Sequence, residues 1–235
     1  MLIKEESFRK LSGSYIILKN KELALKQAKL IKIAESIDES KLENIENEID
    51  KKNIDIEPNS VLLMPYIDYF NGLSFLTLAV CQLKNENLVI YERENFKSIL
   101  VSHISDIANE EFIYLKDTNI EGIFDLDYYS EYMRQVIPDY NLDEDVYKLR
   151  RILDLDPMRN KDFPDDILVY FYKSGFNPEA MWVRYESIDG NAIVGVLLNN
   201  PSQDLKINEG DKIIFYLAED TQNGNLMCIS NLDND

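Results

Sequence analysis

The chain has 235 residues, of which 45% are hydrophobic and 29% are charged. This composition is typical of a folded globular protein and excludes a disordered tail protein, which would contain fewer Ile, Leu, Phe and Tyr residues. Its 25 basic and 43 acidic side chains give a formal net charge of −18, so we expect no basic face for nucleic acid. Two cysteines are too few for a disulfide scaffold.

The net negative charge is concentrated in the part of the chain after residue 60, because residues 1–60 carry 11 basic side chains against 12 acidic ones. Residues 61–160 carry 9 basic and 18 acidic side chains, and residues 161–235 carry 5 and 13. Such a field repels phosphate backbones and anionic lipids, and it attracts a basic partner at low salt. Two interpretations stay open, because the charge either only keeps the protein soluble or also draws in a basic protein.

Residues 1–7 show no apolar stretch of the kind that a secretory signal contains, and no apolar run reaches the roughly 20 residues of a membrane helix. The sequence therefore predicts a cytoplasmic protein that does not bind membranes. Cys81 and Cys228 lie in apolar, strand-like stretches, which predicts two buried free thiols. A disulfide between them stays open, since it requires Cα atoms within about 7 Å.

The N-terminal elements begin with a strand over 14–18. The spacing of Leu23, Leu30, Ile31 and Ala34 predicts a helix over 21–37. A more polar helix is predicted over 39–49.

A three-strand antiparallel meander follows, over 60–67, 73–83 and 88–91, with Asn71-Gly72 as a tight turn. The apolar spacing of Leu100, His103, Ile104 and Ile107 predicts a helix over 95–108. A short strand is predicted over 112–115. These elements together predict an antiparallel sheet with flanking helices.

Two further helices are predicted over 128–136 and 141–153, the first ended by Pro138. The segment 155–166 contains two prolines and many charges, which favours a domain boundary. Beyond it, five short strands are predicted over 167–172, 181–188, 192–198, 212–217 and 226–230, as in a small barrel. The sequence thus predicts an α+β protein with an α+β domain over 1–158 and a small five-stranded β-barrel-like domain over 162–235.

Motifs that carry catalytic chemistry are missing from the chain. One histidine and two distant cysteines do not favour a zinc or iron site. No phosphate-binding glycine motif and no nucleophile elbow occurs. Paired acids such as Asp154 and Asp156 are best interpreted as solvated surface groups. We therefore predict no catalytic residue, no metal and no cofactor.

An aromatic, acidic segment contains Asp125, Asp127, Tyr128 and Tyr129. Tyrosines interleaved with acids suit protein recognition, because each ring offers apolar area with a polar tip. The alternative is that these rings pack in the core or at its rim. We take the four residues as candidates for contact with a partner.

The C-terminal third carries a recurring set of motifs. They are Met181-Trp182-Val183-Arg184, the turn Leu198-Asn199-Asn200-Pro201, and Gly210-Asp211-Lys212-Ile213 followed by Phe215. This combination resembles a small β domain of many uncharacterised bacterial proteins, and related domains occur among predicted immunity proteins of bacterial toxin systems. The resemblance covers about 70 residues and implies a fold, but no established activity.

Trp182 and Arg184 are the candidate site residues within this domain. Side chains alternate along a strand, so both point to the same face. Either they form a patch for a ligand or partner, or Trp182 fills the barrel while Arg184 pairs with an acid at its rim.

Two functions of different classes remain in view. The first is a non-enzymatic cytoplasmic protein-binding module of a bacterium, such as an acidic immunity-type inhibitor of a basic partner. The second is an enzyme or small-ligand receptor with a site in a crevice between the two domains, where Asp125, Asp127 and Asp154 meet Arg184. The missing catalytic motifs favour the first.

Overall fold

The computed structural model describes residues 1–36, 57–84, 87–91, 100–121, 142–219 and 224–233. It divides the chain into two compact units, Met1–Asp139 and Tyr140–Asp235. The first contains an antiparallel sheet with helices, and the second contains a closed five-stranded barrel. The predicted α+β fold class is confirmed. No helix in the described ranges is long and apolar enough to cross a membrane.

The described elements of the first unit include most of the predicted ones, together with a helix over 8–11 and strands over 101–103 and 119–121 that the sequence patterns do not predict. The helical elements are a 3-10 turn Ile3–Glu5, α1 Phe8–Leu11, α2 Lys21–Ser36, α3 Ile104–Ile107 and a 3-10 turn Leu115–Asp117. The strands are β1 Ile16–Leu18, β2 Ser60–Asp68, β3 Gly72–Lys84, β4 Asn87–Tyr91, β5 Val101–His103, β6 Phe112–Tyr114 and β7 Asn119–Glu121.

The sheet of the first unit has the order β6-β1-β2-β3-β4-β7, and β5 pairs with β3. The predicted meander is present as β2, β3 and β4. Asp68 fixes the β2–β3 turn, because its Oδ1 accepts the backbone N–H groups of Phe70 and Asn71 at 2.9 Å each. Gly72 has a φ of 74°, a left-handed backbone conformation that residues with a Cβ atom rarely adopt.

The predicted helix over 95–108 is wrong for its described part. Val101–His103 is strand β5, and only Ile104–Ile107 is helical. The physical reason is tertiary pairing, since Ser74 lies opposite His103 and Phe75 lies opposite Ser102 in the sheet. A β-branched residue at 101 suits that pairing. The predicted helices over 39–49 and 128–136 both lie outside the described residues.

The described elements of the second unit are α4 Glu144–Arg150, a 3-10 helix Leu153–Met158, and strands β8 Asp166–Tyr172, β9 Glu179–Asp189, β10 Ala192–Leu197, β11 Lys212–Glu219 and β12 Leu226–Asn231. The strands close in the order β10-β11-β12-β8-β9. Only the β12–β8 pair within this barrel is parallel. All five strands predicted here are therefore present.

The unit boundary at Asp139 precedes the predicted boundary after residue 158. Helix α4 and the 3-10 helix belong to the second unit because they bond to the barrel. Asp145, on α4, accepts the backbone N–H of Ile188, on β9, at 3.1 Å. The segment that sequence patterns favour as a linker is therefore part of the barrel unit.

Inside the barrel, alternate side chains of each strand form the core. On β9, Met181, Val183 and Tyr185 are buried, whereas Trp182 and Arg184 between them are only partly buried and face outward. The strand register shifts by one residue beside Gly195, on β10. A Cβ there would collide with the backbone of Arg184, so only glycine allows the two strands to approach.

Candidate functional site

Arg184 is held in place by a carboxylate on the neighbouring strand. Its Nε and Nη2 donate to the two carboxylate oxygens of Asp166 at 2.7 and 3.0 Å. Asp166 lies directly opposite Arg184 in the β8–β9 ladder. Burial raises the pKa of Asp166, and the guanidinium opposes that shift. The predicted pairing of Arg184 with an acid is therefore present, and it fixes the guanidinium rather than presenting it to a ligand.

Trp182 does not fill the barrel, so that part of the prediction is wrong. The parity of β9 places its neighbours Met181 and Val183 inside, and Trp182 lies outside opposite Leu168 of β8. Its backbone N–H donates to Asn199 Oδ1 at 2.9 Å. Trp182 thus belongs to the outer surface of the barrel.

Four candidate partner-binding residues lie outside the described residues: Asp125, Asp127, Tyr128 and Tyr129. Their role in partner contact stays a prediction. So does the crevice constellation, which requires two of them.

A buried ionic network that sequence reasoning missed ties α4 to the barrel. Arg150 donates to both carboxylate oxygens of Asp165, from Nε at 2.9 Å and from Nη2 at 2.6 Å. The hydroxyl of Tyr185 donates to Asp165 at 2.5 Å. The Asp165 carboxylate is only 2% exposed, so these bonds replace the water it has lost.

Arg159 completes the network from the other side of Tyr185. Its guanidinium donates to the Tyr185 hydroxyl at 3.0 Å, to the carbonyls of Pro164 and Leu149 at 2.6 and 2.7 Å, and to Asp156 at 3.0 Å. Burial, followed by the Asp165 charge, raises the pKa of Tyr185. The groups are bonded to one another, so the arrangement stabilises the unit and offers no free acid or base.

The sequence gives one weak indication of this network, the adjacent acids at the start of the first barrel strand. Asp165 and Asp166 enter the first barrel strand together, and each takes one bidentate arginine, Arg150 or Arg184. Arg150 lies 15 residues from its partner, so sequence spacing alone does not reveal the pair.

The lone histidine and the two cysteines carry no catalytic arrangement among the described residues. His103 Nδ1 lies 3.1 Å from Ser74 Oγ at the β5–β3 pairing, not on a helix face. Cys81 and Cys228 are free and buried, and burial raises the pKa of each thiol to about 12. Within the described ranges, no group of three or more His, Cys, Asp or Glu is placed to hold a metal.

An apolar stripe crosses the outside of the barrel. We define it as Val194, Ile214, Tyr216, Ile229 and Tyr170. Val194 lies opposite Ile214, Tyr216 lies opposite Ile229, and Ile229 lies opposite Tyr170. Ile214 is 45% exposed and Tyr216 is 47% exposed, while the other three are partly buried.

Charged side chains border this stripe. On β11, Lys212 follows the same outward alternation as Ile214 and Tyr216, whereas Asp211, just before the strand, and Glu219, at its end, do not. Lys212 Nζ lies 3.6 Å from Glu186 Oε2, and the lysine side chain is mostly exposed, so this ion pair contributes little to stability. The stripe therefore places contiguous apolar area on the surface of the barrel, as protein contact surfaces do.

Comparison of the chain with protein families, with curated proteins and with solved structures gave no match. The resemblance of the C-terminal motifs to bacterial immunity-type domains stays a prediction.

Proposed function

We propose that this protein is a non-enzymatic binding module that holds a basic partner protein against the outside of its barrel. The observation that carries the proposal is the apolar stripe, whose two most exposed residues, Ile214 and Tyr216, follow one another on the outer face of β11. Contiguous exposed apolar side chains on a closed barrel are costly unless a partner covers them.

The charge of the chain supports a basic partner. The formal net charge is −18, and residues 161–235, which contain the barrel strands, carry 13 acidic and 5 basic side chains. Lysines and arginines on the partner would be attracted by this net negative charge, which speeds encounter and rejects acidic proteins and nucleic acids.

The narrower form of the proposal is an immunity-type inhibitor in the cytoplasm of a bacterium. It rests on the resemblance of the motifs around Trp182 and Gly210. An inhibitor of this kind acts by covering its partner, which agrees with a site built from surface area rather than from reactive groups.

A photo-crosslinking experiment tests the proposal. Benzoylphenylalanine replaces Tyr216 in one variant and Leu153 in the control, since Leu153 is also exposed, at 65%, and lies in the same unit. Each variant is irradiated in lysate of the source organism, and the adducts are identified by mass spectrometry.

We expect one basic protein to be crosslinked from position 216 and not from position 153. The same protein must also bind the unmodified chain when both are purified. An adduct between two copies of this chain, or equal adducts from both positions, contradicts the proposal.

A further inference from the structure

An open cleft of about 1020 Å³ lies at the edge of the sheet in the first unit, remote in sequence from the barrel. Its walls include the apolar parts of Met1, Tyr15, Tyr114 and Leu115. A mostly apolar cavity of this size with a few polar groups is the usual form of a ligand site.

The backbone of β6 presents an unused donor to this cleft. Lys19 N–H donates to the carbonyl of Glu111, and Leu115 N–H donates to the carbonyl of Tyr15, both at 2.9 Å. Antiparallel pairing alternates, so residues 111, 113 and 115 bond to β1 and residues 112 and 114 point the other way. The N–H of Tyr114 therefore points away from β1 at the sheet edge.

The neighbouring position on this edge shows how a chain can dock. Phe112 N–H donates to the carbonyl of Met1 at 3.0 Å, and Ile3 N–H donates to the carbonyl of Glu110 at 3.2 Å. Met1–Ile3 thus runs antiparallel beside β6, with Leu2 opposite Glu111. Nothing in the described part of the chain accepts the Tyr114 N–H.

A lysine that forms no ion pair with the described carboxylates lies over the ring of the same tyrosine. Lys116 Nζ lies 5.0 Å from the centroid of the Tyr114 ring, and no carboxylate of the described residues forms an ion pair with it. The other charged side chains that line the cleft are Lys10, Glu6 and Asp117.

The negative charge of Glu6 is balanced by partners within the cleft wall. Its carboxylate is 7% exposed, lies 3.2 Å from Lys10 Nζ, and accepts the Tyr114 hydroxyl at 3.2 Å. Burial of Glu6 disfavours its charge, but these partners and the Ser7 N–H hold its pKa below the ordinary value. Asp117 is exposed and is therefore the one acid that faces an incoming anion.

We propose that this cleft binds a carboxylate attached to an apolar side chain, as at the free C-terminus of an extended peptide. The carboxylate accepts from the Tyr114 N–H and pairs with Lys116, while the apolar side chain packs against Tyr15 and Met1. A carboxylate suits the site because one backbone donor and one ammonium group offer it both a hydrogen bond and charge.

An NMR titration of the whole protein tests the proposal with three probes. They are the peptide acetyl-Gly-Ser-Gly-Ser-Phe with a free carboxyl terminus, the same peptide as a carboxamide, and phenylacetate. We expect the free acid to shift the Tyr114 amide signal and to bind at least about 10-fold more tightly than the carboxamide. Phenylacetate binding as tight as the peptide's assigns the site to small aromatic acids, and weaker binding assigns it to chain termini.

Matched variants separate the two donors. Tyr114 has a φ of −74°, which proline adopts, and its N–H lies outside the ladder, so Tyr114→Pro removes the donor without breaking a sheet bond. Tyr114→Ala removes the ring and keeps the donor. We expect the proline variant to bind the free acid about 5-fold more weakly than the alanine variant.

The charged residues give the second comparison. We expect Lys116→Gln to weaken binding about 10-fold, Asp117→Asn to strengthen it about 2-fold, and Lys26→Gln, outside the cleft, to leave it unchanged. Equal binding of acid and carboxamide by the unmodified protein, or a Tyr114 signal that does not move, overturns the proposal whether or not the variants fold.

Discussion

The two units differ in how completely their buried polar groups are hydrogen-bonded. In the barrel unit, Asp165, Arg150 and Arg159 lose most of their water and bond to one another and to backbone carbonyls. In the first unit, Gln27 Oε1 and Thr77 Oγ1 are buried with no hydrogen-bond partner in the described structure. Buried polar bonds therefore join helix and strands in the barrel unit, while the sheet unit bonds groups such as Asp68 but tolerates these two unsatisfied atoms.

The largest expected effect is on the barrel network. Arg159→Met leaves Asp156, the Tyr185 hydroxyl and the carbonyls of Leu149 and Pro164 without their shared donor. We expect the barrel unit to lose about 3–5 kcal/mol of unfolding free energy. Urea unfolding followed by Trp182 fluorescence measures it, because the chain has one tryptophan.

The control for this variant is Lys206→Met, which breaks the exposed ion pair of Lys206 with Asp204. Exposed pairs of this kind contribute about 0–1 kcal/mol to the unfolding free energy. We therefore expect Lys206→Met to lose much less stability than Arg159→Met. A loss below about 1 kcal/mol for Arg159→Met would show that the network is dispensable.

The next effect concerns the close approach of two barrel strands. In Gly195→Ala the new methyl group meets the Arg184 backbone and Val183 Cγ1, the latter at 2.7 Å. We expect a loss of about 1–3 kcal/mol from overpacking, again measured by urea unfolding. Ser187→Ala, on the facing strand, should change stability by less than about 0.5 kcal/mol. Equal stabilities of the two variants would contradict the close approach.

In the sheet unit, the corresponding changes should be neutral or stabilising. Thr77→Val and Gln27→Leu remove buried polar atoms that have no partner, which we expect to add up to about 1 kcal/mol. The labelling rate of the buried Cys81 thiol in urea measures the stability of this unit. A loss above about 1 kcal/mol in both variants would mean that the two groups do have partners.

The smallest effect is a pH dependence that differs between the units. The pKa of Glu6 is below its ordinary value, so its stabilising contribution is present above about pH 4.3 and is lost as the pH falls. We expect Glu6→Gln to flatten the loss of stability of the first unit between pH 6 and 3, measured from amide exchange. Burial raises the pKa of Asp166 in the barrel unit, so its protonation favours folding there. A Glu6→Gln profile identical to that of the unmodified protein would contradict the pairing of Glu6.

Local signals in the sequence were sufficient for most of the architecture. The turns at Asn71-Gly72 and Asp189-Gly190 separate strands that the structure contains, and the alternation along β9 predicts that Trp182 and Arg184 share a face. Val101–His103 could not be assigned from its helical spacing, because its strand form depends on pairing with residues 74–76.

Less of the candidate site than of the fold could be predicted from the sequence. The alternation that places Trp182 and Arg184 together does not say which face is the inside, and Tyr185 proves to be the buried neighbour. The apolar stripe joins residues from four strands, and only barrel closure brings Tyr170 beside Ile229. The many charged residues of 155–166 favour a linker in the sequence. In the structure, several of them form ion pairs instead, Asp165 with Arg150 and Asp156 with Arg159.

Calorimetric titration of this protein with the purified partner that crosslinking identifies tests the binding function most directly. We predict that Ile214→Glu weakens binding at least about 100-fold, that Leu153→Glu leaves it unchanged, and that raising salt from about 0.05 to 0.5 M weakens the unmodified complex about 10-fold or more. Binding that is insensitive both to Ile214→Glu and to salt would contradict a basic partner held by the stripe.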